Sequence, residues 1–74
     1  MSKRSKSNRD VERNASREHF VATLRRLADA LEKDEVFVIQ VKGERIRVPR
    51  EATLSIEHER EAGKEELEFQ LKWK

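Results

Sequence analysis

The sequence predicts an α+β fold: one amphipathic helix, about residues 16–33, packed on one face of a four-stranded antiparallel meander sheet. Three observations carry this. Phe20, Leu24, Leu27, Ala28 and Leu31 recur along a 3.6-residue period. Two strand-like runs flank Lys42-Gly43. Further on, residues 52–57 and 67–73 alternate apolar with polar, as strands with one covered face do, the first of them extending toward Arg60.

Each element has local support. Ser16 suits the helix N-cap, where its hydroxyl can accept from an unpaired backbone N–H, and Glu18 then lies where the helix dipole favours a negative charge. Val36-Phe37-Val38-Ile39-Gln40-Val41 is β-branched and aromatic enough to end the helix near Lys33 and begin a strand. Gly43 tolerates the positive φ of a tight turn, and Glu44–Val48 returns in strict alternation until Pro49, which has no N–H for a ladder. Ala52, Leu54 and Ile56 mark a third strand. Ala62-Gly63-Lys64 marks a turn, and Leu67, Phe69, Leu71 and Trp73 mark the fourth strand. Residues 10–14, with Val11 alone apolar, admit a fifth short N-terminal strand. The expected core comprises Phe20, Leu24, Leu27, Leu31, Phe37, Ile39, Leu54, Ile56, Leu67, Phe69, Leu71 and Trp73, joined by Val41, Ile46 and Val48 on the same sheet face. Trp73 is expected to close the end of that core.

Seventy-four residues make one domain with a thin margin of stability, and no cysteine is present to staple it. The 43% charged content nearly cancels to +2, but it is unevenly spread. Residues 1–26 carry eight Lys or Arg against three acids; residues 27–74 carry nine against twelve. Residues 1–9 read as a disordered basic arm and residues 10–74 as the folded domain. No apolar run is long enough to span a membrane, and the basic start lacks the apolar segment of a signal peptide. The expected compartment is the cytoplasm.

The stretch SREHFVATLRRLADALEKDEVFVIQ, a short charged hairpin and the terminal EELEFQLKWK together resemble the amphi-Trp domain family. The similarity covers roughly residues 10–74 and rests on the amphipathic last strand, Leu67 to Trp73, that ends in a tryptophan. It implies a small prokaryotic α+β protein and carries over no catalytic residue. Members often place a more apolar segment before the helix; here that segment is the polar SKSNRDVERN.

Candidate chemistry is sparse. His19 and His58 share no metal-ligand spacing, and no cysteine completes a zinc set. Gly43 and Gly63 both fall in turns and make no phosphate loop. Glu57, Glu59 and Glu61 alternate along one strand face near Glu65, Glu66 and Glu68, a face that Arg45, Arg47 and Lys72 are expected to offset across strands. No enzyme, metal, cofactor or small-molecule substrate is expected.

Two binding readings follow. The first is a non-enzymatic interaction module whose partner is another protein or a second copy of the chain, with outward-facing Val36 and Val38 as a partner edge. The alternative is a nucleic-acid accessory protein using the polyanion-binding candidates Lys3, Arg4, Lys6, Arg9, Arg13, Arg17, Arg25 and Arg26. Against it, the polar sheet face offers no aromatic side chain for base stacking.

Overall fold

A computed structural model describes residues 14–74. It contains one helix, α1 (Arg17–Glu32), and four strands: β1 (Phe37–Val41), β2 (Glu44–Val48), β3 (Thr53–Glu61) and β4 (Lys64–Lys72). All strand pairing is antiparallel, so the class is α+β. The expected four-stranded meander is instead two two-stranded sheets, β1-β2 and β3-β4. Among the described residues there is no fifth strand; residues 10–13, where most of it would fall, lie outside them, as does the expected basic arm. No described helix is long and apolar enough to cross a membrane. The chain divides into two compact units, one ending at Glu51 and one comprising Ala52–Lys74.

In the first unit the helix begins where the sequence places it. Ser16 has extended backbone, and its Oγ accepts from the His19 N–H at 3.1 Å. The helix stops through a left-handed residue: Asp34 has φ 56°, which brings the Asp34 N–H to the Leu31 carbonyl and the Glu35 N–H to the Ala30 carbonyl. This paired closure is a Schellman motif, with Asp where glycine is usual. The chain then enters β1, and Lys42 and Gly43, at φ 51° and 83°, turn it back into β2. Two positive φ values give the backbone twist that a tight hairpin requires.

The core of this unit is small. Ala30, Phe37 and Val48 are buried, and Phe37 stands directly opposite Val48 in the ladder. Leu27, Ile39, Val41 and Ile46 are half-buried around them. The helix face turned to β1 is therefore Thr23, Leu27 and Ala30, the helix's least exposed residues. That face is rotated roughly 60° from the stripe formed by Phe20, Leu24, Leu27 and Leu31, at 3.6 residues per turn. Only Leu27 belongs to both. Phe20, Leu24 and Leu31, expected in the core, remain 59%, 41% and 44% exposed. A two-stranded ribbon is narrower than a four-stranded sheet and covers one flank of the stripe rather than its centre.

The second unit is a nine-residue-a-side hairpin turned by Ala62 and Gly63, at φ 48° and 81°. Its register pairs Leu54 with Leu71, Ile56 with Phe69, and His58 with Leu67. The expected alternation is thus present. The expected burial is not: Leu54, Ile56, Leu67 and Phe69 are all more than half exposed, and Leu71 is half-buried. Trp73 lies just beyond β4 and is 42% exposed. The last ladder pair is Thr53 with Lys72, so Trp73 lies one residue past the paired strand.

Candidate functional site

β3-β4 presents an apolar face on which Leu54, Ile56, Leu67 and Phe69 are more than half exposed. Counting back from the closing pair Glu61–Lys64, alternate pairs exchange backbone hydrogen bonds and the pairs between them do not. Leu54–Leu71, Ile56–Phe69 and His58–Leu67 all fall in the second class, where side chains of opposite strands approach most closely. The result is a continuous apolar ladder, ended toward the turn by polar groups. There His58 Nε2 lies 2.9 Å from Glu65 Oε1, and Arg60 Nε lies 3.6 Å from Glu65 Oε2.

The other face of the same hairpin is acidic. The register sets Glu57 opposite Glu68 and Glu59 opposite Glu66, like charges facing each other across the ladder. Gln70 relieves the first pair: its Nε2 donates to Glu57 Oε1 at 2.8 Å and to Glu68 Oε1 at 3.0 Å. Its Oε1 accepts from Ser55 Oγ at 3.2 Å, which holds the amide in that orientation. The second pair has no such bridge among these bonds. A side-chain hydrogen bond with Glu66 raises the Glu59 carboxyl above its ordinary value, helped by desolvation and by repulsion from Glu57, Glu66 and Glu68. The cations expected to offset these acids are elsewhere in the ladders: Arg45 faces Gln40, Arg47 faces Val38, and Lys72 faces Thr53. The bridging role of Gln70 is not legible without the register.

The first unit holds a smaller feature. Ala15, His19, Phe20 and Thr23 face Ile39, Gln40 and Val41 across a mostly apolar cavity of about 200 Å³. It opens beside the exposed Phe20.

The remaining candidates are placed as follows. Val36 precedes β1 and Val38 lies within it, both half-buried. The Val38 carbonyl accepts from Arg26 Nη2 at 2.6 Å, so this edge position is already taken by a side chain. Arg26 also lies over the Phe37 ring, 5.1 Å from its centroid. Of the polyanion candidates, Arg17, Arg25 and Arg26 are on α1 and exposed, with Arg26 engaged as described. Lys3, Arg4, Lys6, Arg9 and Arg13 lie outside the described residues. No group of three or more metal-ligating side chains gathers among the described residues.

A helix-bearing hairpin followed by a second, two-faced hairpin that ends at a tryptophan defines a small α+β protein organised around its last strand. The family model of the Amphi-Trp domain matches residues 2–74, and the chain belongs to that family. Among curated proteins and among solved structures no match is found.

Proposed function

We propose that the protein is a non-enzymatic interaction module of the prokaryotic cytoplasm, and that it binds protein through the apolar face of β3-β4. One observation carries this reading: Leu54, Ile56, Leu67 and Phe69 form an unbroken ladder and are 54–68% exposed. An isolated two-stranded hairpin is marginal in water and gains independent stability when its apolar face is covered by a helix or further strands. Contiguous exposed apolar area of this kind marks interaction surfaces. Four such side chains expose roughly 400–500 Å² of apolar surface, at about 100 Å² each.

Faces of one strand can be tested against each other. A photo-crosslinking residue at position 69 looks out from the apolar face, and one at position 70 looks out from the acidic face. Protein adducts in cells are expected from position 69 and not from position 70. Equal labelling from both positions, or none from position 69, refutes the reading.

The nucleic-acid alternative draws support from the cations of residues 1–26. A salt titration against random duplex DNA separates it, because phosphate contacts make affinity fall steeply with log salt.

A further inference from the structure

We infer that the partner of the β3-β4 apolar face is a second copy of this chain, with the hairpin of each copy lying on the α1 stripe of the other. The inference rests on the protein-binding reading above and names the protein bound.

Each unit exposes one apolar surface. One is the ladder around Ile56 and Phe69. The other is the ridge of Phe20, Leu24 and Leu31, left open because α1 turns a different flank to β1. A helix laid on a two-stranded sheet is the cover that such a hairpin lacks. The ridge is also not smooth, since the cavity beside Phe20 can receive a projecting side chain.

Area decides between two ways of pairing copies. Stacking hairpin on hairpin buries roughly 900 Å² of apolar surface in total, below the usual size of a stable interface. It also leaves the helix ridge of both copies in water. Reciprocal hairpin-on-helix packing adds roughly 300 Å² of ridge per copy and reaches about 1,500 Å², within the standard class. It leaves neither apolar surface exposed. The acidic face stays outside in this arrangement, with Glu57 and Glu66 exposed and Glu59 and Glu68 half-buried as they are in the single chain.

Sedimentation of the full chain tests the proposal. The wild-type protein is expected at twice the mass of one chain. Phe69→Glu on the hairpin and Leu24→Glu on the helix are each expected to give monomers that keep their helical circular dichroism. Mixing the two variants is the second step. A mixed pair holds one intact contact of roughly 750 Å², the Leu24→Glu hairpin on the Phe69→Glu helix, so the mixture should show a weak dimer at high protein concentration where neither variant alone does. Hairpin-on-hairpin pairing leaves Leu24 outside the interface and predicts that Leu24→Glu alone stays dimeric, and that result overturns the arrangement. A wild-type chain that is monomeric at all concentrations overturns the proposal outright. In that event, amide exchange across β3-β4 shows whether the binding reading survives. Rapid exchange leaves the face open for a different protein, whereas strong protection means the face is closed within the monomer and the binding reading fails with the dimer.

Discussion

Phe37 and Phe69 are the same side chain on two strands, and their truncations should differ several-fold. Phe37 is 7% exposed, stands opposite Val48, and carries the Arg26 guanidinium over its ring. Removing a buried Phe side chain costs about 3–5 kcal/mol, transfer and cavity terms together. A single small core supplies stability of only about that size. Phe37→Ala should therefore abolish the folded first unit at 25 °C. Phe69 is 61% exposed, so only about two-fifths of its surface is covered, and Phe69→Ala should cost roughly 1–2 kcal/mol in the monomer. Urea titration followed by helical circular dichroism reads the first unit, because α1 is the helix of that unit, and amide exchange in β3-β4 under the same urea series reads the second. The protein must be dilute enough to be monomeric, or Phe69→Ala will also register lost association. A cooperative helical transition in Phe37→Ala with a midpoint near wild type would refute the placement of the core. So would equal losses from the two substitutions.

Three further outcomes follow from single features. Ala62 holds φ 48° in the second turn, a conformation that asparagine tolerates better than alanine; Ala62→Asn should stabilise the hairpin by about 0.5–1 kcal/mol, read as a higher urea midpoint. The Glu59 carboxyl is raised in the folded state, so the folded chain holds that proton more tightly than the unfolded chain does. Its contribution is thus full at pH below the ordinary value of 4.5 and is lost as pH rises through the raised value; Glu59→Gln should remove this part of the acid-side pH dependence of unfolding, and an unchanged profile counts against the Glu59–Glu66 bond. Trp73 continues the parity of Phe69 and Leu71 and is 42% exposed, so its emission should shift to the blue as protein concentration rises through dimerisation. Emission independent of concentration would place Trp73 outside the interface.

Local features were legible in the sequence because local chemistry determines them. Ser16 as N-cap, Gly43 and Gly63 in turns, and the alternation through Leu54, Ile56, Phe69 and Leu71 all need only neighbouring residues to be understood. Burial was less legible. Periodicity identifies which side chains are apolar and which share a face, but it does not say what covers them. The stripe through Phe20, Leu24 and Leu31 is real, yet Thr23 and Ala30, a hydroxyl and a methyl, sit on the covered flank. Small residues let a helix approach a strand closely, and hydropathy patterns give them little weight. The bridging of Glu57 and Glu68 by Gln70 was hidden for another reason, since it depends on a register that only the turn at Ala62-Gly63 sets.

The two faces of β3-β4 bear on specificity as well as stability. A two-stranded ribbon offers either face and both edges to any neighbour, and backbone pairing does not choose between them. On this hairpin Glu57 faces Glu68 and Glu59 faces Glu66, an arrangement that weakens the ladder it belongs to. The Gln70 amide offsets part of that loss at one pair; at the other, a side-chain hydrogen bond with Glu66, followed by desolvation and repulsion, holds the Glu59 carboxyl above its ordinary value. The same charges make the acidic face costly to bury, since each carboxylate would have to shed its water or take up a proton. On the proposed dimer, association would thereby be confined to the face of Ile56, Leu67 and Phe69. Replacing Glu57, Glu59, Glu66 and Glu68 with Gln should accordingly give a hairpin that is no less stable alone but associates through both faces. Sedimentation would then show species beyond a dimer. If the quadruple variant remains a clean dimer, the acidic face has no part in choosing the partner, and its charges serve only solvation.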